Sequence, residues 1–260
     1  MGIKFDIFPK KKPACKDLGY VIGVQSALKN AYANKEYELY RLNEKDEFKD
    51  FDSLEKFILN LQSFFNVKLT FQRIDQIDET FDNLPIIYDI VKDDNRDIII
   101  GITPFGYSNL DILFCELLLY LIDHKITNDG FIHFEEDFFN DYEDSYRPFL
   151  VMVSVYFGFG HMLLKRFWIS GSFRKDLEIL DYKYYIPLDV NYLIFAICYK
   201  IYSSRSEKDE QEFISFTNDF SREIRKEIAI CFSYLRKNGE SLFIESVNSF
   251  YWKSIPPAAK

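Results

Sequence analysis

The chain has 260 residues, 48% of them hydrophobic and 28% charged, with a formal net charge of -9. That balance supports a sizeable core and excludes global disorder. With 41 acids against 32 bases, it also excludes sequence-independent binding to nucleic acid or to an anionic membrane, which needs concentrated Lys and Arg.

Aromatic residues are abundant (27 Phe, 18 Tyr), and Gly (10) and Pro (8) are scarce. A ring-packed core without long structureless linkers follows. The opening MGIKFDIFPKKKP has no apolar signal-peptide core, and Asp6 stands where a myristoylation signal wants Ser or Thr. Cys15, Cys115, Cys198 and Cys231 are scattered, without a CxxC pair. They read as reduced thiols of a cytoplasmic protein. The run 149–164, free of Asp, Glu, Lys and Arg, falls short of the roughly 20 residues that span a bilayer.

Taken in order, residues 1–16 read as an irregular, basic lead-in. Residues 18–34 read as a helix with Gly19, Gly23, Ala27 and Ala31 on one side for close packing. The charged run 35–50 reads as a solvated loop or polar helix face. Asp52 or Ser53 is expected to cap a helix through 65, with a core stripe of Leu54, Phe57, Ile58, Leu61 and Phe65. Residues 67–74 alternate as a strand, and 84–91 are extended. After a turn at 93–95, 97–103 (DIIIGIT) is apolar enough to be a central strand. A turn at 104–107 leads to Ser108 or Asn109 as the next cap.

Residues 110–123, LDILFCELLLYLID, are apolar all round at helical spacing and therefore buried. Glu116 sits in the middle of this helix. A buried carboxylate needs a partner or a raised pKa. A loop is expected at 124–143, then one long apolar helix at 147–168. Gly158 and Gly160 inside that helix signal close backbone packing or a local break. Helices follow at 187–203, 209–238 and 240–252. The expected fold is α+β, mostly α, in a single domain over 1–260: an α/β part at 17–107, a helical part at 108–252 and a tail at 253–260.

Three stretches, LFCELLLYLI (113–122), RPFLVMVSVYFGFGHMLLK (147–165) and YIPLDVNYLIFAICY (185–199), resemble a bacterial zincin-like (HExxH) family. That family has LAHELAHVLL, EPLTDLLTVFLGFGIFLAN and YLSxxEWAYALALF in the same order. HExxH works because two His at i and i+4 share one helix face and bind zinc, while the Glu activates the metal-bound water. Here Cys115 and Leu119 stand at the two His positions. Arg147 stands where the family places its third ligand, and Val151 where it has Asp. The resemblance therefore implies a scaffold that keeps Glu116 and has lost its metal ligands, with no cofactor. It also implies a buried Glu116–Arg147 pair in place of the carboxylate–zinc contact.

Other candidates are weaker. Cys115 and Glu116 are adjacent and point about 100° apart on a helix, which is poor geometry for a nucleophile and its base. His124, His133 and His161 have no metal-ligand spacing, and His161 reads as a hydrogen-bonded core residue. The segment EEDFFNDYED at 135–144 lacks EF-hand spacing. Its simplest reading is a solvated loop. Its functional reading is a partner-binding surface made of Glu135, Glu136, Asp137, Asp141, Glu143 and Asp144 with the aromatic anchors Phe138, Phe139 and Tyr142. The polar run 203–212 reads as a connector.

The expected function is non-catalytic: binding another protein, with an immunity or inhibitor protein against a basic bacterial toxin as the leading form. The alternatives are a hydrolase remodelled around Glu116 and a structural subunit of a larger assembly.

Overall fold

The structure, a computed structural model, describes residues 11–32, 35–40, 49–75, 86–91, 97–129, 146–171, 190–218 and 220–247. Among these residues there are ten helices and three strands, an α+β arrangement that is mostly α. They form two compact units, one from Met1–Tyr40 with Asp129–Lys260 and one from Arg41–Asn128. No helix among the described residues is long and apolar enough to cross a membrane.

The smaller unit contains a three-stranded sheet in the order β1-β3-β2. Strand β1 (Lys68–Arg73) runs parallel to β3 (Asp97–Ile102), and β2 (Ile86–Val91) is antiparallel to β3, with an irregularity between Tyr88 and Val91. The isoleucine-rich β3 is the central strand, as its composition requires; Ile98, Ile100 and Ile102 are all buried. Strand β1 is an edge. The backbone N–H of its Leu69 donates to Oε1 of Gln62 at 3.0 Å.

Helix α2 (Phe51–Asn60) buries Leu54, Phe57 and Ile58, and the rest of the expected stripe, Leu61 and Phe65, is buried as well. Two details differ from expectation. The cap is Asp50: its carboxylate accepts from the Ser53 N–H at 2.9 Å, and Ser53 Oγ accepts from the Asp50 N–H at 3.2 Å. This reciprocal box closes two backbone donors at once. The helix also breaks at Leu61, and a single turn, α3 (Gln62–Phe65), follows and ends on left-handed Asn66 at φ 54°. Asp50→Ala is expected to destabilise this unit by about 1 kcal/mol. Chemical denaturation checks that value, with Asp52→Ala as the near-neutral control.

Where a turn was expected after β3, the chain forms α4 (Pro104–Ser108), capped by Thr103. Helix α5 (Leu110–Asn128) then packs on α2, α3, α4 and β2. It runs past the expected end at 123 because Ile126 is also buried, and Asn128 reaches back to His124 Nδ1 at 2.9 Å. Contacts group α5 with the strands before it, and not with the helices after it.

The larger unit is helical. It contains α1 (Leu18–Ala31), α6 (Arg147–Tyr156), α7 (Gly160–Gly171), α8 (Val190–Ser204), α9 (Glu207–Phe216) and α10 (Arg222–Val247). Helix α8 is the hub and touches each of the other five. It is buried without interruption from Leu193 to Ile201, which suits its all-round apolar composition. Helix α1 lies against α6, α8 and α10, and Gln25 Nε2 donates to the Met152 carbonyl at 2.7 Å.

The expected single helix over 147–168 is two helices, because Gly158 adopts φ +93°. The expected connector at 203–212 is mostly α9. Ser206 caps it, and Glu207, Asp209 and Glu210 fill its first turn, where carboxylates favour the helix dipole. The expected break near 239 is absent, and α10 continues to Val247.

Residues 35–40 are not a solvated loop. They strap the α6–α7 junction. The Tyr156 hydroxyl donates to the Lys35 carbonyl at 2.6 Å, and the Tyr40 N–H donates to the Gly158 carbonyl at 2.9 Å. Leu39 is buried. The Tyr37 ring meets Tyr156 and Phe157 edge-on at 5.4 and 5.0 Å.

Candidate functional site

Helix α5 carries the residues that the zincin-like resemblance singles out. Its composition leaves no solvent face over most of its length, and residues 112–119 are buried without a gap. Glu116 is 6% exposed, Cys115 6% and Leu119 5%. On a helix, positions 115 and 119 lie one above the other, and 116 is turned away by about 100°. The donor set on the shared face is therefore one thiol and one isobutyl group. It does not fit a zinc ion, which takes three or four N, S or O ligands. Among the described residues no group of three or more His, Cys, Asp or Glu could hold a metal ion.

Arg147 opens α6, but its side chain lies outside the described residues. The Glu116–Arg147 pair is therefore not placed. Glu135, Glu136, Asp137, Phe138, Phe139, Asp141, Tyr142, Glu143 and Asp144 also lie outside the described residues, as does His133.

Sequence reasoning missed a buried polar centre in the helical unit. Lys200, 8% exposed, is the only charge in the α8 run LIFAICYKIY. Its Nζ donates to the Tyr156 carbonyl at 2.8 Å and lies 5.5 Å from the centre of the Tyr156 ring. That carbonyl ends α6 and has no partner within its own helix. Burial pushes the Lys200 amine down to about 8, and the nearby carboxylates of Asp209 and Glu36 offset only part of this. Asp209 moves the other way: burial raises its pKa, and Ser206 and Lys200 pull it back in part.

Lys200 thus pins the end of α6 to α8 with a cation that is partly neutral in mild alkali. A lone Lys inside an apolar helical run is the signal that would have located it.

His161, on the first turn of α7, is 5% exposed, and its ring meets Phe216 edge-on at 5.2 Å. Burial lowers its pKa to about 4, although backbone hydrogen bonds with Tyr40 and Gly158 favour the charged ring. The expectation of a hydrogen-bonded core histidine holds, while Nδ1 has no hydrogen-bond partner among the described residues.

Comparison with known proteins adds no assignment: no family model, no curated protein and no solved structure matches this chain.

Proposed function

We propose that this protein is a non-catalytic, protein-binding pseudoenzyme on a degenerate zincin-like scaffold, acting as an immunity or inhibitor protein against a basic bacterial toxin. The observation that carries the reading is Leu119. It is buried and apolar on the face of α5 where an HExxH helix needs its second imidazole. Without that ligand a neighbouring Glu116 has no metal-bound water to activate. The net charge of -9 favours association with a basic partner. The acidic, aromatic segment 135–144 supplies both the charge and the anchoring rings that such a surface uses.

Two measurements test the reading. Elemental mass spectrometry of the purified, untagged protein after incubation with zinc is expected to find far less than one metal per chain. Zinc near one per chain would overturn the reading and bring forward a hydrolase built around Glu116. Coexpression with the products of neighbouring genes is expected to yield a stable complex by native mass spectrometry. If every such product elutes separately, the immunity assignment falls.

A further inference from the structure

The edge strand β1 carries a short set of unused backbone groups. Ile74, just past its end, donates its N–H to the Ile102 carbonyl at 2.9 Å. Along a strand, alternate residues turn their backbone groups to opposite sides. Thr70, Gln72 and Ile74 therefore face β3, and the N–H and carbonyl groups of Leu69, Phe71 and Arg73 face away from it. Leu69 shows the same phase, because its outward N–H meets Gln62 Oε1 at 3.0 Å. Phe71 and Arg73 have no such cap. Among the described residues nothing meets their outward N–H and carbonyl groups.

The side chains beside this gap divide between two faces. Residues 69, 71 and 73 share one face. Leu69 is buried there, and Phe71 is half-buried with its ring edge-on to Phe51 at 6.1 Å. Arg73 is 68% exposed; its guanidinium lies 5.0 Å from the centre of the Tyr107 ring, and its Nε lies 2.8 Å from Asp75. On the other face Thr70 and Gln72 are exposed.

Two open residues spaced two apart are complementary to themselves. Let a second copy of β1 lie antiparallel, with each Phe71 opposite the other copy's Arg73. The outward N–H and carbonyl of both residues in both chains then pair, as four hydrogen bonds about a two-fold axis at Gln72. Any extended segment could fill those bonds, but a second copy also matches the side chains. Each Phe71 ring receives the other copy's Arg73, a contact of the kind Arg73 already makes with Tyr107. The two Gln72 amides meet on the axis, where each can donate and accept. Charge on an edge ordinarily resists pairing. In this register no like charges face each other, and Asp75 compensates Arg73.

We propose that β1 is a homodimerisation edge. Two copies of the chain join there, Phe71 opposite Arg73 and Gln72 on the two-fold, into one six-stranded sheet ordered β2-β3-β1-β1-β3-β2. A strand pair is small beside a standard interface, so the dimer is weak and forms as concentration rises.

The test uses the full chain. Sedimentation velocity over a rising concentration series is expected to show monomer passing to dimer. Gln72→Glu and Gln72→Lys each place like charges in the closest cross-strand pair, and each is expected to raise the dissociation constant several-fold. Position 72 is exposed, so both variants are expected to keep the unmutated circular dichroism spectrum. An equimolar mixture of the two is expected to recover the dimer. With one variant isotopically labelled, native mass spectrometry is expected to find mostly the mixed species. A chain that sediments as monomer at every concentration would overturn the proposal. So would a dimer that neither variant weakens, or a mixture that forms no mixed species.

Discussion

Gly158→Ala is expected to destabilise the helical unit by about 3–5 kcal/mol, from backbone strain and overpacking together. Gly158 holds φ +93°, a conformation that residues with a Cβ adopt only under strain. A Cβ built there would sit 2.1 Å from the Glu38 carbonyl oxygen, 3.2 Å from its carbon and 3.3 Å from the Tyr40 nitrogen. All three are backbone atoms of the strap, so no rotamer change relieves the clash. The strap must move, and the Tyr40 N–H to Gly158 carbonyl bond moves with it.

Gly19→Ala supplies the control. Its Cβ would meet only Asp17 Oδ1, at 3.4 Å, an ordinary contact in the first turn of α1. That change is expected to be neutral or to stabilise by up to about 1 kcal/mol. Urea unfolding followed by circular dichroism separates the two variants. A Gly158→Ala midpoint equal to that of the unmutated chain would mean that the strap does not lie where it is described.

Stability is also expected to drop by about 3 kcal/mol as pH falls from 7 to 4, through His161. Its folded-state pKa, about 4, lies below its ordinary value of 6.5. Between these values the unfolded chain binds the proton and the folded chain does not. The His161 contribution is therefore whole above pH 6.5 and is lost as pH falls through the window down to 4.

Asp209, whose pKa is raised by burial, works with the opposite sign in acid. The informative quantity is thus the difference between the unmutated chain and His161→Gln, which removes the titration and keeps a polar side chain. The variant's curve of unfolding free energy against pH is expected to be flatter across 4 to 6.5. Parallel curves would show that His161 titrates alike in both states and is not buried as described.

Several parts of this molecule were legible in the sequence because they depend on local pattern. The run DIIIGI can be satisfied only between two other strands, and β3 is central. The 3–4 spacing of Leu54, Phe57, Ile58, Leu61 and Phe65 requires one buried face, and all five are buried. The helices at 110–128 and 190–204 follow from runs with no polar face to offer to water. In each case the periodicity of one segment carries the information, and no distant residue needs to be known.

The residues of the candidate site were legible only as chemistry. Cys115 and Leu119 at i and i+4 already share one helix face without a ligand set for zinc, because helix geometry places them together whatever surrounds them. The partner of a buried group is a different kind of fact. Lys200 was passed over because its acceptor, the Tyr156 carbonyl, lies 44 positions away in the chain. The Gly158 break was ambiguous because its cause is the approach of the Glu38 carbonyl, which no pattern near residue 158 encodes.

By itself the sequence determined the central strand, the amphipathic stripe of α2 and the apolar helices α5 and α8, and that Cys115 and Leu119 supply no ligand set for zinc. The tertiary structure alone decided that α1 joins α6, α8 and α10 across more than a hundred intervening residues, and that α5 stays with the strands. It alone made residues 35–40 a strap over the α6–α7 junction. The physical reason is that dihedral preference and hydrophobic period act within a few residues. An apolar face states that it must be covered, and only the closure of long loops against one another selects the face that covers it.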